Sequence, residues 1–124
     1  MKAQDIFDIV VTHLFSQGRR ATHINGACRY RTSDGLSCAV GCLIEEEDYS
    51  LDAEGKKISK LLEEGALSAE FLPHLNLLRE LQHIHDSALG NSGSSLQWRL
   101  KHVAELFDLT YRAEHYPPAP EVWE

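Results

Sequence analysis

The chain has 124 residues, which is enough for one ordinary domain with its own hydrophobic core. Hydrophobic residues make up 43% of the chain and charged residues 25%. These values are typical of globular proteins, and they exclude a disordered, collagenous or low-complexity chain. Lys and Arg number 12 against 19 Asp and Glu, so the formal net charge is −7, which argues against a protein whose main task is to grip nucleic-acid phosphates.

Four helices are predicted from apolar residues at helical spacing. The first covers residues 4–15 and stops at Gly18, and a short one covers residues 56–64. A long helix covers residues 73–89, and the last begins at Ser94, where the pattern is cleanest. The buried stripe of this last helix is Leu96, Leu100, Val103 and Phe107.

A β-hairpin is predicted for residues 27–41, where the apolar spacing changes to period two around the turn Ser33-Asp34-Gly35. With Gly35 in the left-handed position of a three-residue loop, Thr32 pairs with Leu36. This register turns one apolar set toward the core: Cys28, Tyr30, Leu36, Cys38 and Val40. The opposite face then carries Arg29, Arg31, Ser37 and Ala39.

These elements predict a single, mostly helical α+β domain over residues 1–112, with the hairpin packed on about four helices. Gly41 allows a tight change from the second strand into residues 42–48, a short acidic helix or turn. Residues 113–124 form a proline-containing tail that either docks Trp123 on the body or frays. Because a two-stranded hairpin is marginal on its own, a homodimer that extends the hairpin is a further expectation.

The cellular compartment is predicted from apolar runs and cysteines. No apolar run approaches the roughly 18 to 20 residues that cross a bilayer, and residues 9–11 near the amino end are too short for a signal peptide. Cys28, Cys38 and Cys42 lack a disulfide-framework spacing. We therefore expect free thiols and a cytoplasmic protein without a membrane partner.

The outward face of the predicted hairpin is the densest candidate site. Arg29, Arg31 and Ser37 would share this face. The backbone N–H groups that follow Gly41, beginning with that of Cys42, would lie near them, and guanidinium groups and backbone N–H groups together bind phosphate or carboxylate. Tyr30 would add a flat surface for a nucleobase. The alternative is that the two arginines are solvated strand residues that pair with the acidic residues 45–48.

The histidines and cysteines offer two further kinds of site, a metal site and a nucleophilic thiol. His74, His85 and Asp86, with His102, suggest a metal-dependent phosphohydrolase, although His85 on an apolar helix face also suits a satisfied core histidine. The three thiols and His23 lack the paired spacing of zinc sites. Cys42, after Gly41, is the only thiol placed for a lowered pKa, and a buried structural thiol is the alternative.

Two sequence blocks resemble a known family. The first is Cys28-Arg29-Tyr30-Arg31, then Asp34-Gly35, then Cys38-Ala39-Val40-Gly41-Cys42-Leu43-Ile44, and the second is Leu77-Leu78-Arg79-Glu80-Leu81-Gln82 with His85-Asp86. They resemble the signature of small uncharacterised proteins encoded by tailed phages, prophages and some bacteria. The resemblance implies an accessory, counter-defence role, in which such proteins bind a host factor or sequester a signal such as a cyclic nucleotide.

Taken together, these patterns favour a binding protein over an enzyme, without a cofactor. The ligand is expected to be a nucleotide-like anion or a host protein, held through Arg29, Tyr30, Arg31, Ser37, Gly41 and Cys42. The alternatives are the metal-dependent phosphohydrolase and a protein-interaction module that uses the acidic turn and the tail.

Overall fold

The computed structural model describes residues 1–23, 27–87 and 93–124. Its α-helices are α1 (Ala3–Gln17), α2 (Ile58–Glu64), α3 (Leu75–Asp86) and α4 (Gly93–Leu106). Short 3-10 turns occupy Gly41–Leu43, Glu46–Asp48, Leu51–Ala53, Ala69–His74 and Ala113–His115. The four predicted helices are confirmed, although the third begins two residues later than expected and the last two residues predicted for it, 88 and 89, lie outside the described residues.

Helix α1 shows how local sequence sets these elements. Its apolar residues form a buried face, and Gly18 ends it in the left-handed conformation at φ 76°, where the Gly18 N–H donates to the Leu14 carbonyl at 2.9 Å. None of the helices in the described ranges combines the length and the apolar character that a bilayer span requires.

Helix α3 is the centre of the core, because α1, α2 and α4 all pack against it. Its buried face is Leu77, Leu78, Leu81 and Ile84, as the spacing predicted. Leu96, Leu100 and Val103 of α4 are also buried, whereas Phe107 is half-buried against them. The polar face of α3 is thereby left open beside residues 28–31 and 54–58, where the candidate site lies.

The predicted β-hairpin is wrong, and with it the α+β class. Within the described residues no stretch forms a strand, and the antiparallel contacts are two isolated bridges, one of which joins Arg31 to Ser37. The predicted pairs nearest the turn do meet, since the Thr32 N–H donates to the Leu36 carbonyl at 2.9 Å. The pairing does not continue to Cys28 and Val40 as the register required, so the segment is an irregular loop on a helical body.

The ladder stops because side chains from other elements take its backbone donors. A buried N–H needs one acceptor, and a carboxylate or amide oxygen satisfies it as well as a second strand does. The ladder donors affected are the N–H groups of Tyr30 and Val40, which donate to the Glu54 carboxylate (2.9 Å) and to Gln82 Oε1 (3.0 Å). The N–H groups of Arg31 and Ser37 point away from each other at their bridge and donate to Glu54 (3.1 Å) and Gln17 Oε1 (2.9 Å). The predicted alternation of buried and exposed side chains is also wrong, because the successive residues Cys38, Ala39 and Val40 are all fully buried.

The tail docks on the body, which is one of the two outcomes expected for it. Tyr116 packs edge-on against Phe15, with ring centroids 6.4 Å apart, and its hydroxyl donates to Asp8 at 2.6 Å. Trp123 is fully buried, and its indole N–H donates to the His85 carbonyl at 3.3 Å. The tail thus holds the ends of α1 and α3 together.

Candidate functional site

Arg31 does not project outward as the hairpin required. Its guanidinium donates to the carbonyls of Gly41, at 3.4 Å, and Ile44, and it lies over the Tyr49 ring at 5.2 Å from the centroid. A guanidinium has five N–H donors and no acceptor, and these two carbonyls occupy donors that the predicted anion site would have used. Arg31 therefore holds the 3-10 turn at Gly41–Leu43 in place.

The backbone N–H groups at this turn are also occupied. The bonds run from Gly41 N to Cys38 Sγ (3.2 Å), from Cys42 N to the Cys38 carbonyl (3.1 Å), from Leu43 N to the Val40 carbonyl (2.9 Å) and from Ile44 N to the Gly41 carbonyl (3.3 Å). The orphan donors on which the predicted anion site depended are thus used within the turn.

Ser37 and Cys42 are structural contacts in the same region. The Ser37 carbonyl accepts from His13 Nε2 at 2.8 Å and from Gln17 at 2.9 Å, which ties the loop to α1. The Cys42 thiol donates to the Ala39 carbonyl at 3.1 Å, and burial raises its pKa to about 12. Cys42 is therefore protonated at neutral pH, the opposite of the lowered pKa that a nucleophilic thiol needs.

The burial of His13 predicts a pH dependence of stability, and its hydrogen bond to Ser37 opposes that effect only in part. Burial lowers the pKa of His13 from its usual 6.5, so below about pH 6.5 the unfolded chain binds a proton that the folded protein resists. This contribution to stability is present above pH 6.5 and is lost as the pH falls through the lowered value. We expect the drop in unfolding temperature between pH 7.5 and pH 5.5 to be smaller in His13→Gln, whose amide can still donate to Ser37. Equal drops in the two proteins would contradict this account.

Two of the predicted site residues, Arg29 and Tyr30, line a two-lobed depression that we call the Tyr30 groove. Its lobes share Tyr30, Gln82 and Asp86. The first lobe, about 200 Å³, adds Cys28, Arg29, Glu54, Gly55 and Lys56, and the second, about 300 Å³, adds Lys57, Ile58, Arg79 and His83. Arg31 and Ser37 line a different depression.

The Tyr30 groove is rich in cations for a chain that is acidic overall. Arg29, Lys56, Lys57 and Arg79 line it, against the two carboxylates of Glu54 and Asp86. Lys56 is paired with Glu64 at 2.7 Å. Among residues 1–23, 27–87 and 93–124, Arg29, Lys57 and Arg79 have no carboxylate within salt-bridge distance.

Glu54 and Tyr30 connect this groove to the irregular loop that contains Arg31 and to Tyr49, and several hydrogen bonds hold them in place. The Glu54 carboxylate accepts from the N–H groups of Tyr30 and Arg31 and from the Tyr49 hydroxyl at 2.6 Å. The Tyr30 hydroxyl donates to the Lys56 carbonyl, and burial raises its pKa to about 12. The phenol is therefore neutral and its hydroxyl is fixed in place, and Tyr30 lines both lobes.

The metal hypothesis meets an obstacle at His85. The Ala21 N–H donates to His85 Nε2 at 3.0 Å, so the ring proton is on Nδ1, which lies 2.7 Å from Asp86 Oδ1. Cys28, His85 and Asp86 bring one ligand atom each within 4.8 Å. A metal ion on Nδ1 would move the proton to Nε2, where it would face the Ala21 N–H. The tautomer that the backbone selects therefore disfavours a metal ion at this cluster.

The other histidines of that hypothesis lie elsewhere. His74 contacts the Met1 carbonyl at 3.0 Å, and His102 stacks on the exposed Trp98 with ring centroids 5.7 Å apart. The structure therefore does not bring His74 and His102 to the His85–Asp86 pair, which suits the interpretation of His85 as a core histidine. Burial, and then the Asp86 carboxylate, raise the pKa of the Cys28 thiol.

Sequence reasoning missed Lys57, Arg79 and Gln82 as site residues. Arg79, Gln82, His83 and Asp86 recur at i, i+3, i+4 and i+7, which is the spacing of one helix face. That face lies opposite the leucine stripe, and a search for polar periodicity would have found it.

Comparison of the chain with protein-family models, with curated proteins and with solved structures finds no match.

Proposed function

We propose that this chain is a non-enzymatic binding protein that holds a nucleotide-like anion in the Tyr30 groove. The observation that carries the proposal is the set of cations without an ion pair, which are Arg29 in the first lobe and Lys57 and Arg79 in the second. On a surface that is otherwise acidic, such cations gain most when an anion neutralises them. Arginine forks and lysine ammonium groups are the donors that proteins use for phosphate.

The aromatic part of the ligand is the second element of the proposal. The Tyr30 ring lies between the two lobes, with the apolar Ile58 beside it, and its hydroxyl is fixed on the Lys56 carbonyl. Nucleobases stack on such rings with a free energy of about 1–3 kcal/mol for each base. Of the residues predicted from the sequence, the proposal keeps Arg29 and Tyr30. Arg31, Ser37, Gly41 and Cys42 line neither lobe of the groove.

The chemistry of the side chains supports binding rather than catalysis. The thiols of Cys28 and Cys42 have raised pKa values, so neither is an activated nucleophile. All three cysteines are free, which supports a reducing compartment such as the cytosol. The resemblance of residues 28–44 to phage-borne proteins supports an accessory role in the contest between phage and host.

The test is a thermal-shift screen followed by calorimetry. Nucleoside monophosphates, cyclic dinucleotides and inorganic phosphate are titrated against the wild-type protein. A ligand that binds only the folded state raises stability by about 2.7 kcal/mol at a hundred times its Kd. We expect at least one nucleotide to raise the unfolding temperature. If none does at millimolar concentration, the small-ligand proposal is wrong and a host protein becomes the favoured partner.

The cations of the groove are tested with Arg29→Ala and Arg79→Ala, one from each lobe. Loss of either cation is expected to weaken binding of the anion about ten- to hundredfold, with the unfolding temperature nearly unchanged, because neither guanidinium holds another part of the fold. Lys60→Ala is the matched control, since Lys60 is an exposed α2 cation outside the groove. Arg31 is not substituted in this test, because its guanidinium holds the turn at residues 41–44 in place and its loss would destabilise the fold. Wild-type affinity in the Arg29→Ala, Arg79→Ala double variant would exclude this groove.

A further inference from the structure

We infer that the ligand of the Tyr30 groove carries an amino group that donates a hydrogen bond to Asp86. This inference rests on the proposed function, and it assigns Asp86 to the recognition of the base. Asp86 ends α3, its side chain is 40% exposed, and it lines both lobes.

The Asp86 carboxylate is held in place by the protein and still has accepting capacity. His85 Nδ1–H and the Gln82 amide both donate to its Oδ1, at 2.7 and 2.9 Å. The Cys28 thiol is its third neighbour. An ionised carboxylate offers about four lone-pair positions, so at least one remains for a donor in the groove.

The orientation of this acceptor is fixed from the core. His85 is fully buried, and the Ala21 N–H and the edge of the Trp123 ring hold its imidazole. Its Nδ1–H therefore points at Asp86 without an alternative tautomer. An acceptor held in this way loses little freedom when a ligand binds, which is what makes a hydrogen bond selective.

The two lobes differ in what they can recognise. The second lobe carries Lys57 and Arg79 and suits the phosphate. In the first lobe, Glu54 already accepts from two backbone N–H groups and from the Tyr49 hydroxyl. Asp86 differs from Glu54 in its place, because it lines both lobes whereas Glu54 lines only the first.

This arrangement selects one class of nucleotide. With its phosphate in the second lobe and its ring on Tyr30, a base extends its edge toward Asp86. An exocyclic amino group donates to the carboxylate there, whereas a carbonyl oxygen in the same place is repelled by it. The expected ligand is therefore a nucleotide whose base carries an exocyclic amino group, at C6 in adenine or at C2 in guanine. Hypoxanthine has neither amino group and only its N1–H as a donor, so its nucleotide is expected to bind more weakly.

The experiment compares three nucleoside monophosphates by calorimetry on the wild-type protein: adenosine, guanosine and inosine monophosphate. A charge-assisted hydrogen bond predicts that at least one amino-bearing nucleotide binds about tenfold or more tightly than inosine monophosphate. Equal affinity for all three would overturn the inference and leave the proposed function intact. Failure of all three to bind would overturn the inference, and it would overturn the proposed function as well if the cyclic dinucleotides of the screen also fail.

Asp86→Asn then assigns the preference to this residue. Its Oδ1 still accepts from His85 and Gln82, while its NH₂ group is a donor, so the preference for the amino-bearing base is expected to disappear or reverse. A preference that survives the substitution would overturn the assignment. Arg79→Ala is the matched comparison, because loss of a phosphate contact lowers the affinity for all three nucleotides by a similar factor. If Asp86→Asn does not fold, the comparison on the wild-type protein still decides.

Discussion

Trp123→Ala is expected to lower the free energy of unfolding by about 3–5 kcal/mol. Trp123 is fully buried, its ring stands edge-on to His85 with centroids 5.8 Å apart, and its indole N–H donates to the His85 carbonyl. Removing the indole leaves a cavity and breaks this hydrogen bond. The next residue is also affected, because the Glu124 carbonyl accepts from the Arg20 N–H at 2.6 Å. Urea denaturation followed by circular dichroism measures the loss.

The matched control is Trp98→Ala, which removes the same side chain from an exposed position. Trp98 is 66% exposed and its ring contact is with His102 on its own helix, so its loss is expected to cost less than about 1 kcal/mol. Since the chain has two tryptophans, each variant also reports the emission of the other one. Emission from Trp98→Ala is expected at shorter wavelength than emission from Trp123→Ala. Similar stability losses in the two variants would show that the tail is not docked in solution.

The helices were predictable because their signals are local. The apolar spacing of α1 and its glycine stop at Gly18 lie within a few turns of each other, and the apolar spacing of α4 is equally local. Errors at the helix ends also have a local cause. Pro73 lies in the 3-10 turn at Ala69–His74, and the α-helical bonds begin at Leu75.

The hairpin was not predictable in the same way, because the acceptors that replaced it are distant in sequence. Alternation in residues 28–40 indicates a strand only if a second strand supplies the acceptors. Here Glu54 accepts from Tyr30 and Gln82 accepts from Val40, across 24 and 42 residues of sequence. No local pattern marks a glutamate or a glutamine as a backbone acceptor.

The candidate site was predictable in part for the same reason. Arg29 and Tyr30 were singled out from their own segment, and the structure places them in the groove. Arg31, two residues on from Arg29, belongs to the turn beside the groove, because its guanidinium finds carbonyls there. Lys57 and Arg79 joined the site only when α2 and α3 were packed against the loop.

Gly41→Ala is expected to lower the free energy of unfolding by about 3 kcal/mol, through overlap rather than through backbone strain. A Cβ atom at Gly41 would lie 1.9 Å from the Tyr30 carbonyl oxygen and 2.7 Å from its carbonyl carbon. Neither atom can yield, because the Tyr30 carbonyl accepts from the Cys38 N–H at 3.0 Å and the Tyr30 N–H donates to Glu54. Because Tyr30 must shift to make room, nucleotide affinity is expected to fall as well.

Gly35→Ala is the control that distinguishes steric overlap of a new Cβ atom from backbone conformational strain. Gly35 has a φ of 89°, in the left-handed region, and no atom lies within 4 Å of a Cβ built there. Its substitution is therefore expected to cost about 1–2 kcal/mol from backbone conformation alone, with the Tyr30 groove undisturbed. Thermal melts and nucleotide titrations of both variants make the comparison. If Gly41→Ala is no less stable than Gly35→Ala and binds nucleotide normally, the close approach of Gly41 to Tyr30 does not exist in solution, and Tyr30 is not held as the groove requires.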